Sequence, residues 1–112
     1  MSKNPSKNPS DWKFKRFRIE PELISQIENL ANVRGEQKGD IIAETMEWFI
    51  KNRSDGTISP RYFASPNEAP YTGIWVTPDT AKKIDSMAQT DSQNSNRVIY
   101  TAIARYIDKD KT

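Results

Sequence analysis

The sequence contains no cysteine and no histidine. Without thiols there is no disulfide, no thiol nucleophile and no Cys/His zinc site, and without imidazole the usual acid–base catalyst near neutral pH is missing. Most enzyme chemistries lose their customary side chains, so no catalytic residue, metal or cofactor is expected. Glycine is scarce, with 4 in 112 residues, and no glycine-rich phosphate loop is present. Nothing approaches the roughly 18 apolar residues of a membrane helix, and no hydrophobic signal segment follows the N-terminal lysines. A cytoplasmic protein without a membrane partner is the expectation.

Charge is present but nearly balanced. The net value is only +2, yet residues 1–20 hold Lys3, Lys7, Lys13, Lys15, Arg16 and Arg18 against Asp11 and Glu20 alone. The basic character is therefore local, which matters more for partners than the sum. Residues 2–5 and 6–9 are the same four letters, Ser-Lys-Asn-Pro. Residues 1–12 read as a disordered basic arm, either a solvated tail or a segment that lies along a phosphate backbone, with Trp12 closing it.

The stretch Phe14 to Leu23 organises the rest of the chain. Phe17 and Ile19 face one way and Arg16 and Arg18 the other, because successive strand side chains alternate. Pro21, with its φ preset, ends the strand and opens a helix. Leu23, Ile24, Ile27, Leu30 and Ala31 make one helical face, placing a helix at Pro21 to Val33 that Gly35 terminates. Ile41, Ile42, Thr45, Met46, Phe49 and Ile50 make the stripe of a second helix over Lys38 to Asn52. Residues 53–70 hold Pro60, Pro66, Pro70 and Gly56 without a period and read as a linker. Arg53, Arg61, Tyr62 and Phe63 give that linker means of contact, or serve only to pack it.

A second copy then repeats the first, 57 positions on, as from Glu20 to Thr77. Ile74 and Val76 share one strand face, Gly73 and Trp75 the other, and Pro78 opens the helix. Thr80, Ala81, Ile84, Met87 and Ala88 match the first helical stripe. Val98, Ile99, Ala102, Ile103, Tyr106 and Ile107 match the second, capped by Asn94 or Ser92 and ending near Asp108. Two unrelated amphipathic segments seldom reproduce a strand, a proline and two stripes without a gap, so the chain reads as an internal duplication. One strand–helix–helix unit leaves its strand unpaired and its stripes uncovered. The expected fold is mainly α with a two-stranded antiparallel β-ribbon, strand-helix-helix twice, residues 13–52 and 71–108 forming one shared core as a single-chain pseudo-dimer.

Over Lys13 to Asn52 and Tyr71 to Asp108 these residues resemble the ribbon-helix-helix DNA-binding proteins of the Arc/MetJ type, and the tandem arrangement is similar to that of TraY-type conjugation accessory proteins. The resemblance implies a ribbon in the major groove of double-stranded DNA, with the second helix of each unit holding a backbone phosphate at its N-terminus. Carried over, the base-contacting positions are Phe14, Arg16 and Arg18 on the first strand and Tyr71, Gly73 and Trp75 on the second. Arg16 and Arg18 suit bidentate bonding to guanine; otherwise they cover a solvated face. Trp75 either meets thymine methyls or sugars or is covered by the linker or the arm. Phosphate contacts would come from Lys13, Lys15, Gln37, Lys38, Gly39, Asn94, Ser95 and Asn96. The second strand has no charged reading position, so the expected site is non-palindromic.

The implied function is a sequence-specific transcriptional repressor or a plasmid DNA-transfer accessory protein, a monomer in solution that assembles in several copies on DNA. A protein-interaction module is the alternative, antitoxin-like or a segregation partner. An antitoxin carries a further toxin-wrapping segment, whereas this sequence stops at Thr112, directly after the last helical stripe. Stacking of single-stranded nucleic acid on Phe14, Tyr71 and Trp75 is a further reading.

Overall fold

The computed structural model describes residues 11–56, 62–63 and 66–109. Two strands and four helices run in the order β1 (Lys13–Arg18), α1 (Pro21–Arg34), α2 (Lys38–Ser54), β2 (Tyr71–Val76), α3 (Pro78–Asp91) and α4 (Ser95–Asp108). The fold is mainly helical with a two-stranded antiparallel sheet, as expected. Nearly all of the N-terminal arm, and Arg61 in the linker, lie outside the described residues.

Local chemistry sets the element ends. Glu20 stays extended and Pro21 takes the first helical turn of α1, where a missing N–H is no loss. Pro78 does the same for α3, helped by the Thr77 hydroxyl, which accepts the Thr80 N–H at 3.1 Å. Gly35 closes α1 in the left-handed region at φ +65°. Ser92 stands in the corresponding place after α3 at φ +56°, a conformation that costs a non-glycine residue about 1 kcal/mol. Of the two expected caps for α4, Asn94 is the one used: its Oδ1 accepts the Arg97 N–H at 2.8 Å. α2 runs on through Arg53 and Ser54, residues read from sequence as linker.

The core gathers Phe17 and Ile19, Ile74 and Val76, Ile41, Ile42, Met46 and Phe49 of α2, and Val98, Ile99, Ala102 and Ile103 of α4, with Ile27 and Ile84 at its sides. α2 packs on α4, β1 lies against α4, and β2 lies against α2. Each strand thus rests on the second helix that follows the other strand.

Polar side chains tie the elements at the rim. Arg53 holds the Asp91 carboxylate with both terminal nitrogens, and the Tyr62 hydroxyl donates to Asp91 at 2.5 Å. The Tyr62 ring meets Phe49 edge-on, and the Phe63 N–H donates to Thr101 Oγ1 at 2.9 Å. Arg53 and Tyr62 therefore serve to pack the linker, the plainer of its two readings, whereas the Phe63 ring stays 38% exposed with Arg105 over it. Glu44 accepts from Arg34 at 2.5 Å and from the Tyr106 hydroxyl. Tyr100 donates to Glu20 Oε2 at 2.8 Å.

These pairs give stability a defined pH profile. The Arg53 guanidinium holds the Asp91 carboxyl below its ordinary value, and Arg34 then Tyr106 do so for Glu44. A carboxyl depressed by folding contributes stability above its unfolded pKa and loses that contribution as pH falls through the folded one. Burial, and next the hydrogen bond to Glu20, push Tyr100 from an ordinary value near 10 up to about 12. The sign is opposite here: the contribution is complete below pH 10 and lost as pH rises through 12. Urea midpoints are expected to fall below about pH 4 and again above about pH 10. Tyr62 and Tyr106 are raised by burial and by their bonds to Asp91 and Glu44 and share the alkaline limb, so Tyr100→Phe should reduce its slope in part; an unchanged limb would refute a contribution from Tyr100.

Candidate nucleic-acid interface

Strand pairing decides which side chains share the outer face of the ribbon. β1 and β2 meet with Phe14 opposite Trp75, Arg16 opposite Gly73 and Arg18 opposite Tyr71. Alternation puts these six residues on one face and sends Phe17, Ile74 and Val76 into the core. Phe14 and Tyr71 are each 50% exposed and Trp75 43%. The face is therefore aromatic at one end and cationic at the other.

At the cationic end, the Arg16 and Arg18 guanidinium carbons lie 4.7 and 4.3 Å from the Tyr71 ring centroid. Their freedom differs. Arg18 donates to the carbonyls of Asn67 and Ala69 at 3.0 and 2.8 Å, which braces it against the chain entering β2. Arg16 is exposed, so it is the guanidinium best placed to reach outward.

At the other end, the Phe14 and Trp75 ring centroids are 5.0 Å apart and tilted by 54°. Gly73 makes room for this pair, since a Cβ there would overlap the Phe14 ring. A glycine in a strand interior often marks such a close approach.

The helix N-termini sit beside the ribbon but are not equivalent. At α2, Gln37 is the N-cap and Asp40 completes a capping box, its Oδ2 accepting the Gln37 N–H at 3.0 Å. A carboxylate thus already occupies the positive end of that helix dipole. Gly39 is buried because α2 presses on β2: a Cβ there would collide with the Trp75 carbonyl and lie 3.0 Å from the Trp12 ring. The approach that Gly39 permits is to β2 and Trp12 within the chain. At α4 the first turn carries no acid, and Arg97, which no sequence pattern singled out, belongs to that turn.

Lys15, expected among the phosphate contacts, lies on the inward side of β1. Its Nζ pairs with Asp85 Oδ1 at 3.0 Å, and the Ser95 hydroxyl donates to the same oxygen at 3.0 Å. Lys38 pairs with Glu28 at 3.6 Å. Asp85 and Glu28, both unremarked from sequence, are thus the internal counter-ions of expected phosphate contacts, and a phosphate must compete with them. Lys13 and Asn96 are exposed. Asp40 could have been found from sequence by its capping-box spacing to Gln37, whereas Asp85 and Glu28 left no local signal.

One open cavity of about 180 Å³ is lined by Phe14, Gln37, Lys38, Gly39, Gly73, Ile74 and Trp75. It brings three of the expected base contacts beside the three expected phosphate contacts of α2. No group of three or more acidic residues that could hold a metal ion occurs among the described residues. Among the described residues no helix is long and apolar enough to cross a membrane. In comparisons with known proteins, the chain matches no protein-family model, no curated protein and no solved structure.

Proposed function

We propose that this chain is a sequence-specific double-stranded DNA-binding protein of tandem ribbon-helix-helix build. It lays β1 and β2 in the major groove and acts as a transcriptional repressor or a DNA-transfer accessory protein. The observation that carries this reading is the exposed outer face of the ribbon, with Arg16 at its centre opposite Gly73. Those two residues are also 57 positions apart in the sequence. The same spacing separates Pro21 from Pro78, Gly35 from Ser92 and the N-caps Gln37 and Asn94. On this reading an approximate two-fold axis passes between Arg16 and Gly73 and relates two strand-helix-helix units, as a homodimer does by symmetry.

A two-stranded ribbon fits the major groove, and guanidinium is the side chain best matched to guanine O6 and N7. Because the counterpart of Arg16 is Gly73, only one guanidinium reads the centre. The site is accordingly non-palindromic, and the protein binds it with a fixed polarity. The test is selection of duplexes from a random DNA library at near-physiological salt, beside Arg16→Ala and Arg18→Ala. An enriched non-palindromic motif is expected, with one G·C preference relaxed in Arg16→Ala by about 10-fold to 100-fold. Arg18→Ala, which removes a brace, should weaken all sequences alike. Binding without enrichment, with the same steep salt dependence in every protein, would leave only phosphate attraction and sink the proposal.

A further inference from the structure

We infer that the Phe14–Trp75 end of the ribbon reads the 5-methyl group of thymine, giving the DNA site a thymine-reading flank to one side of the guanine that Arg16 reads at its centre. This inference rests on the DNA-binding reading above and assigns base chemistry to the half of the face that carries no charge. In the major groove the base edges offer hydrogen-bond donors and acceptors and one apolar group, the thymine methyl. Phe14 can neither donate nor accept a hydrogen bond, and Trp75 carries only its indole N–H, yet both rings stay about half exposed on the outer face.

The rings are also held in place. Phe14 lies over Gly73, where any side chain would displace it, and Trp75 leans on Phe14 at 5.0 Å. Position is set by register: Phe14 and Trp75 form the opposite pair two residues before Arg16–Gly73, while Arg18–Tyr71 lies two residues beyond it. The Phe14–Trp75 pair therefore falls on one side of the site centre that Arg16 marks, and the braced Arg18 with Tyr71 on the other. The cavity shared with Gln37, Lys38 and Gly39 sets the aromatic end beside the start of α2, so the thymine flank is the one whose backbone passes α2. Gly73 acts as a positioning residue, leaving the space that the Phe14 ring occupies.

The duplex most enriched in the selection is resynthesised with uracil for thymine at one position at a time, which removes a single methyl group and changes no hydrogen bond. Wild-type protein is expected to bind about fourfold more weakly for each contacted methyl lost. The effect should fall at one or two thymines, all on the same side of the central guanine whose preference Arg16→Ala relaxes. Trp75→Ala should bind the thymine and uracil duplexes equally at those positions. The wild-type measurement decides the matter without the variant. An enriched duplex that tolerates uracil everywhere overturns the inference and leaves DNA binding standing; no enriched duplex overturns both. Competition by single-stranded oligothymidine as effective as by the duplex also overturns it, in favour of base stacking.

Discussion

Cutting the chain after Gly56 is expected to leave two fragments that do not fold alone and that regain structure when mixed. The reason lies in which surfaces cover which. β1 pairs with β2 and rests on α4, and β2 rests on α2. A fragment holding β1, α1 and α2 keeps the buried stripe Ile41, Ile42, Met46 and Phe49 but loses Val98, Ile99, Ala102 and Ile103 against it. Its one strand keeps unpaired N–H and C=O groups along both edges. The rim ties from Glu20 to Tyr100 and from Arg53 to Asp91 also cross the cut. Self-association of fragment 1–56 is a poor escape. In the observed register, carried across the 57-residue spacing, two copies would set Arg16 against Arg16, and like charges directly opposite in a ribbon are destabilising. Mixing restores Arg16 opposite Gly73. Circular dichroism and sedimentation of each fragment and of the mixture read the result. A cooperative, helical, monomeric fragment 1–56 would contradict the shared core.

Gly39→Ala is expected to lower stability by about 2–3 kcal/mol, although alanine is the better helix former by about 1 kcal/mol. The added Cβ has nowhere to go, since it meets the Trp75 carbonyl on one side and the Trp12 ring on the other. A flexible side chain could turn aside, but a strand carbonyl moves only with the strand, and β2 is hydrogen-bonded to β1. The overpacking therefore outweighs the gain in helix propensity. Relief requires lifting the start of α2 off the ribbon, which also opens the cavity where Phe14 and Trp75 meet Gln37 and Lys38. A lowered urea midpoint together with weaker duplex binding is the expected pattern. A raised midpoint would mean that helix propensity wins and that α2 is not pressed against β2.

Both predictions depend on contacts between residues far apart in the chain. Several features were nonetheless legible locally. Pro21 and Pro78 announced two helix starts, Gly35 a helix end, and the alternation of Phe17, Ile19, Ile74 and Val76 an inward strand face. Lys15 shares the parity of Phe17, so its inward direction was readable too, although the resemblance placed it among the phosphate contacts. Its partner Asp85, 70 residues away, was not readable. Ser92 did not look like a helix terminator because a serine in the left-handed region carries no distinctive letter, whereas glycine does.

Sequence by itself determined the element types, their order, the stripes that are buried and the outward strand positions. These arise from periodicities of 2 and 3.6 and from cap and proline chemistry, which act within one turn or one pleat of the chain. Tertiary structure alone decided that Arg18 is braced by Asn67 and Ala69, that Gly39 makes room for β2, and that aromatic and cationic ends of the ribbon lie on opposite sides of Arg16. Those outcomes depend on which carbonyl, ring or carboxylate is brought within a few ångströms by strand register and helix packing, and no local pattern in the chain specifies that neighbour.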